Sequence, residues 1–449
     1  MASTYLSWTP SNTGTRNTFT WSFWVKRAKL GSYQKIHDAN YNNDSNYYCS
    51  LSFKDDDKIN MSNVDAGSTN INWSTTRKFK DTNAWYHIVV TFDTTNGTAN
   101  DRIRCYVNGE RETLTGTFAV AQGTDNTFWN RSGNINWIGA KSVSASDYLD
   151  ACLSHFHFID GTAYDASAFG ETDATTGEWK IKTSPSVTYG TNGFFILKDG
   201  NSVTDQSGNS NNFTVGGGTL TKTEDCPSNV FATMNPLDNY FADSTFSNGN
   251  NTVVTSVSAY CANTSTLGMN SGKFYCEMKA VQIYNGHAKM GIVGKPSVSI
   301  SQGVGNAYDS YGFYANGGKR VHNGSESSYG GTSWNNNDII GCALDLDNNK
   351  IYFSINGTWQ NSGDPTSGST GTGSAYSING ESESGFYYFA CSDEDNSAGS
   401  ANTYQFNFGN GYFGSTQISS AGTNASGNGI FEYDVPTGYT ALSTKGLNL

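Results

Sequence analysis

The chain has 449 residues, enough for two or three domains with cores of their own. Charged residues make up only 15%, glycine numbers 50 and aromatics reach 14%, with 26 Tyr; that mix suits short strands joined by tight turns and disfavours helices. A formal net charge of -12 against 27 Lys and Arg leaves no basic stripe for phosphates, so nucleic acid and acidic lipid surfaces are excluded as partners.

The opening residues Met1-Ala2-Ser3-Thr4-Tyr5-Leu6-Ser7-Trp8 carry no basic segment followed by an apolar core, so a soluble chain made in a cytoplasm is expected. The segment Thr18–Lys26 alternates Phe19, Trp21, Phe23 and Val25 on one face, which predicts a strand with a heavy aromatic face. Trp85–Asp93 predicts another, and Ile103, Cys105 and Val107 alternate into an Asn108-Gly109 turn. Its apolar run Ile88-Val89-Val90 is of strand length, far below the roughly 20 residues of a membrane-spanning helix.

The order W-Y-H-I-V-V-T-F-D, I-R-C-Y-V-N-G-E, I-N-W-I-G-A and L-S-H-F-H-F-I-D resembles the laminin-G-like, concanavalin-A-like jelly roll over about residues 4–169. The phrases G-F-F-I-L-K-D-G and D-Q-S-G-N-S-N-N-F-T, within 189–214, look like the strand and turn that begin such a fold. Here they follow it, and either complete the first sandwich or bridge to the next. Residues 215–225, with three consecutive glycines, read as the linker.

Beyond it, Ile340, Cys342, Leu344 and Leu346 and then Ile351, Phe353 and Ile355 alternate as a half-buried antiparallel sheet requires. Asn348-Asn349 and Asn356-Gly357 supply hairpin turns between and after them. The succession D-I-I-G-C-A-L-D-L-D, then I-Y-F-S-I-N-G, resembles the SPRY domain over about residues 235–413. The fold class is therefore all-β, two tandem concanavalin-A-like β-sandwiches with few or no helices. The expected domains are 1–225, 226–416 and a Gly/Ser/Asn-rich linker and tail at 417–449. No heptads encode a coiled-coil shaft.

At whole-chain level the start M-A-S-T-Y-L-S-W-T-P-S, the phrases F-I-D-G-T-A-Y-D and F-A-T-M-N-P-L-D and the ending V-P-T-G-Y-T-A-L-S-T-K resemble structural proteins of tailed phages, most of all marine and cyanobacterial ones. The resemblance implies a non-enzymatic protein on the virion surface, with other virion proteins as partners and a homo-oligomer, a trimer by likeness to fibres. It implies tail-fibre-like attachment to host cell-surface glycan or protein through sandwich loops. A capsid decoration or head fibre is the alternative, and a glycan depolymerase a more distant one. SPRY-like domains recognise partners with loops at one end, which makes Tyr314, Arg320, His322, Tyr329, Trp334 and Trp359 the candidate ligand-binding residues. For Trp334 an apolar cap packed over the sandwich edge is the better account, since Trp is usually mostly buried.

Catalytic and metal chemistry find little support. A retaining glycosidase needs two carboxylates about 5 to 5.5 Å apart. Glu381 and Glu383 have the parity for that but sit in the turn-rich N-G-E-S-E-S-G, where a solvated loop is the better account. Asp55-Asp56-Asp57 and Asp393-Glu394-Asp395 are acidic clusters that leave calcium open without the spaced ligands of a dedicated loop. His155 and His157 flank Phe156 with parity for a metal pair but lack a third ligand, and the eight cysteines show no C-x-x-C pair. No cofactor is implied.

Overall fold

The computed structural model describes all residues except 1–2, 126, 199, 201, 241–243, 257–259, 296–302, 381, 395–400 and 449. The chain divides into two compact units, Met1–Lys222 and Thr223–Leu449. Strands joined by short 3-10 turns make up the described secondary structure, and no described helix is long and apolar enough to cross a membrane.

The first unit is a sandwich of two antiparallel sheets. One runs Leu114–Thr117, Ser68–Thr75, Ile59–Asp65, Tyr48–Phe53, Gln34–Asn40, Ile135–Ile138, Tyr5–Trp8 and Thr214–Gly217; the other runs Phe194–Ile196, Ala151–Asp160, Thr18–Arg27, Trp85–Asp93, Ile103–Val107 and Glu110–Arg111. Phe19, Trp21, Phe23 and Val25 all point into the core with no exposed surface, as their alternation predicts. The late segment completes this sandwich: Phe194–Ile196 pairs with Ala151–Asp160, and Thr214–Gly217 pairs with the first strand. Two of the three expected linker glycines therefore lie in a strand. A Cβ on Gly216 would stand 2.0 Å from the Tyr5 ring, so the glycine is there for close packing and not for flexibility.

The six-stranded sheet is buried on its outer face as well. Residues 164–189 fold across it, and Phe169, Tyr164, Trp179 and Tyr189 pack over Val89 and Ile159. Trp179 lies over Gly109 and Gly170, where an added Cβ would come within 2.5 Å of its ring. Its Nε1–H donates to His87 Nδ1 at 2.9 Å, which leaves His87 Nε2 to donate to Ser22 Oγ at 2.8 Å.

In the second unit one sheet runs Thr245–Ser247, Thr252–Val254, Thr403–Asn407, Lys273–Gln282, Ile339–Asp345, Lys350–Ile355 and Thr358–Trp359, with two short strands added at its side. The facing sheet runs Met234–Tyr240, Cys261–Ser265, Tyr388–Asp393, Ala288–Val293, Ser310–Tyr314, Lys319–His322 and Ser325–Ser328. The predicted hairpin turns form with positive φ at Asn349 (56°), Asn356 (48°) and Gly357 (78°).

Residues 417–449 differ from the expected linker and tail, because they are folded onto this unit. Thr440–Ala441 adds a parallel strand beside Phe274 and Tyr275, and Phe431, Val435 and Tyr439 bury against Tyr275, Ala343 and Tyr352 on the sheet's outer face. Glu277, with no exposed surface, receives this strap. Its Oε1 accepts from Tyr433 N at 2.9 Å and Tyr275 Oη at 3.1 Å, and its Oε2 from Glu432 N at 2.9 Å and Asn407 Nδ2 at 3.2 Å. The anchors Phe431, Val435 and Tyr439 fall every fourth residue and not every second, so they do not read as a strand.

None of the eight cysteines is in a disulfide; Cys49, Cys105, Cys261, Cys276, Cys342 and Cys391 are buried, and Cys152 and Cys226 are half-buried.

Candidate ligand-binding site

The six residues expected to bind do not converge. Tyr314, Tyr329 and Trp334 are 5%, 1% and 2% exposed and belong to the second unit's packed interior, so the cap reading of Trp334 is the one its burial fits. Tyr329 donates its hydroxyl to Gly373 O at 3.1 Å, and Tyr314 Oη shares a hydrogen bond of 3.1 Å with His287 Nδ1. Trp359 is half-buried, edge-on to Tyr275 beneath the C-terminal strap. Only Arg320 and His322 share a surface position. His322 stacks on Tyr311 with ring centroids 4.3 Å apart, and Arg320 lies 5.0 Å above the Tyr376 ring while donating to Ala375 O. These contacts hold the hairpin in shape.

The acidic clusters are likewise engaged. Asp57 turns inward to Arg27 at 3.1 Å, Asp56 faces Lys58 at 3.4 Å, and Glu394 pairs with Lys289. Asp393 accepts from Thr255 Oγ1 at 2.7 Å; Asp395 and Glu381 lie outside the described residues. No group of three or more His, Cys, Asp or Glu among the described residues could hold a metal ion. Glu383 pairs with Lys295 on an exposed loop. The histidine pair is split by a bulge between Ser154 and His157 with His155 at φ 48°, and His157 is buried against Phe195 and bonded to Tyr189 Oη at 2.9 Å.

A concave site does exist, in the first unit. A cavity of about 550 Å³ is lined by Arg16, Tyr41, Asn42, Asp44, Tyr47, Asp65, Asp125, Phe128 and Arg131. Four of these nine residues come from the loop Tyr41–Tyr47, which is tied by hydrogen bonds of its own. Tyr41 N donates to Tyr47 O and Tyr47 N to Asp44 O, each at 3.1 Å, and Asn40 Nδ2 braces the loop from beneath at Asp44 O. Asn42 and Asn43 take consecutive positive φ angles of 54° and 56°, which asparagine tolerates. Asp44 is spent on capping Asn46 N at 2.9 Å.

The opposite wall comes from the segment before Ile135–Ile138. Phe128 is 3% exposed and fixed by its N–H to Cys49 Sγ at 3.0 Å, and it meets Tyr47 edge-on at 5.9 Å. Arg16 is anchored on Thr127 O at 2.9 Å and lies 3.6 Å from Asp125. Arg131 sits 4.2 Å over the Tyr41 ring. Its guanidinium and the Asp65 carboxylate have no hydrogen-bond or ion-pair partner among the described residues. Fixed aromatic walls with one open donor group and one open acceptor group suit the reversible binding of a small polar ligand. The repeat Y-N-N-D-S-N-Y at 41–47, with Tyr at both ends of an Asn/Asp turn, was the available signal. It reads as an ordinary turn until the sheet brings Arg16, Asp65, Asp125, Phe128 and Arg131 beside it.

Comparison with known proteins agrees with two domains. Residues 1–168 match the family described as the concanavalin A-like lectin/glucanases superfamily, and residues 273–411 match the SPRY domain. A laminin-G-type concanavalin A-like domain and a SPRY domain are thus present. A stretch of 94 residues is 38% identical to the ATP-dependent RNA helicase DDX1 of Xenopus laevis; it covers 21% of this chain and 12% of that protein, so the chain spans about an eighth of this relative's length. Among solved structures, the SPRY domain of human HERC1 is 16% identical, with 38% of this chain and 96% of that one covered at a TM-score of 0.30. The heptameric SAP-like pentraxin of Limulus polyphemus is 18% identical, with 36% and 71% covered at a TM-score of 0.27.

Proposed function

We propose that this protein is a non-enzymatic surface-binding protein, and that the cavity of the first unit is where it takes a cell-surface ligand. The single observation that carries the reading is that cavity: a concavity walled in part by aromatic rings, in which the charged groups of Arg131 and Asp65 have no hydrogen-bond or ion-pair partner among the described residues. The whole-chain likeness to tailed-phage structural proteins supports a place on the virion and a host-cell target. Several copies on one particle would turn weak single sites into firm attachment by raising the effective concentration.

The test is competition. Purified chain added in excess to host cells is expected to suppress phage adsorption, and a chain carrying Arg131→Ala with Asp65→Ala is expected to lose that effect. Unchanged adsorption with saturable binding to capsids would replace attachment by decoration, and release of oligosaccharides from host glycan would overturn the non-enzymatic reading.

A further inference from the structure

We infer that residues 422–435 of the C-terminal strap form a clasp that opens as one piece while the second sandwich stays folded, and that Glu277 couples its closing to the uptake of a proton. The inference concerns the second unit alone and does not depend on what the first unit binds.

The clasp is tied to itself. Gly422 N donates to Phe431 O at 3.0 Å, Val435 N to Thr423 O at 2.8 Å, and Thr423 N and Oγ1 both donate to Asp434 Oδ1, so its two halves move together. The chain on either side is fixed. Ile418 packs with Ile339 and Phe413, and beyond the clasp Thr440–Ala441 pairs with Phe274 and Tyr275 while Leu442 enters the main core. Between these fixed ends and the clasp, Ser419, Ser420 and Ala421 are exposed on one side, and Thr437 and Gly438 on the other. Gly438 takes φ 89°, and a Cβ there would meet nothing within 4 Å. Backbone can turn at such positions without disturbing a packed side chain.

What the clasp covers is not the sandwich core. Phe431 and Val435 sit with Tyr275, Ala343 and Tyr352 in a cluster apart from the side chains between the two sheets. The bonds to the body centre on Ile430–Tyr433. Ile430 N donates to Gly409 O at 2.9 Å, and Asn407 Nδ2 donates both to Ile430 O and to Glu277, whose carboxylate takes the N–H groups of Glu432 and Tyr433. Asn428 adds bonds to Asn229, Thr440 and Ser443.

Glu277 holds this junction without a counter-ion. The titratable groups around it are Tyr275 and Cys276 of its own strand, Glu432 and Tyr433 of the clasp, and Asp338 beside Tyr433; no cation pairs with it among the described residues. Closing the clasp moves the carboxylate out of water into a site with no positive charge. Desolvation there outweighs the four donors and raises it from its ordinary 4.5 to about 7. Between those two values the closed form holds a proton that the open form has lost. The clasp is therefore tightest in mild acid and loosens as the pH rises to 7, uncovering Tyr275, Ala343 and Tyr352.

The experiment is hydrogen exchange on the full chain from pH 5 to 7, read by mass spectrometry and expressed as protection factors. Residues 430–435 are expected to exchange through an opening that leaves residues 340–344 of the sheet beneath protected. Their protection should fall about tenfold or more between pH 5 and 7. Glu277→Gln should keep the local opening and remove its pH dependence, a change that a merely structural role for Glu277 would not produce. Phe431→Ala should increase opening at every pH and keep the fall, so the inference stays testable should Glu277→Gln fail to fold. A clasp that exchanges only together with residues 340–344, or one equally protected at pH 5 and 7, overturns the inference.

Discussion

At the scale of single residues, the two units bury ionisable groups of opposite sign. His37 accepts from Trp21 Nε1 at 2.9 Å inside the first core, His87 lies between Trp24 and Trp179, and burial pushes both down from 6.5 to about 3. Their folded pKa is depressed, so the stability they contribute is present above about pH 6.5 and is lost as the pH falls toward 3. The slope is about 1.4 kcal/mol per pH unit for each. Glu277 in the second unit runs the other way. Burial outweighs its four donors and pushes it up from 4.5 to about 7, so its contribution is full below pH 4.5 and is lost as the pH rises to 7. Chemical denaturation between pH 7 and 5 should show it: His87→Gln flattens the first unit's pH slope by about 1 kcal/mol per unit on average over that range, and Glu277→Gln shifts the second unit's slope in the opposite direction. Slopes identical to wild type in both variants would contradict the assignment.

At the scale of elements, each sandwich has one sheet covered on its outer face by its own chain. The C-terminal strap buries Phe431, Val435 and Tyr439 on Tyr275 and Tyr352, and full burial of a large apolar side chain stabilises by about 1.5–3 kcal/mol. Deleting residues 417–449 should therefore cost the second unit several kcal/mol, expose Tyr275 and Tyr352 and promote aggregation, measurable by melting temperature and light scattering. A truncated chain that melts like wild type would show the strap to be dispensable. The strands themselves were legible in the sequence where side chains alternate, as at Phe19–Val25 and Ile351–Ile355, because period 2 reports directly on a half-buried sheet. The straps were not, since Tyr164 and Tyr439 pack along irregular backbone and Trp179 stands at the start of a three-residue strand too short to show alternation. For the same reason the burial of Tyr314, Tyr329 and Trp334 escaped the sequence: an aromatic ring near a turn reads alike whether it points in or out.

At the scale of the whole molecule, each unit closes its own sheets from its own strands. The first completes both of its sheets with residues 194–217, and the second recruits residues 440–441. Chains comprising 1–222 and 223–449 should each fold, with melting transitions that together reproduce those of the intact protein; a fragment that stays unfolded would mean that its fold depends on the other. The family likenesses were legible because they rest on contiguous motifs. The cavity was not, because Arg16, the loop Tyr41–Tyr47, Asp65, Asp125, Phe128 and Arg131 meet through sheet pairing, which no local pattern announces.

The distribution of thiols gives each unit a clock of its own. Cys49 and Cys105 are sealed in one interior and Cys276, Cys342 and Cys391 in the other, while a single half-buried thiol, Cys152 or Cys226, lies in each unit. Burial keeps the sealed sulfurs protonated and unreactive, so an alkylating reagent reaches them only when the surrounding sheets part. The rate at which mass is added at each position thus times the opening of each sandwich in the unlabelled, unaltered protein.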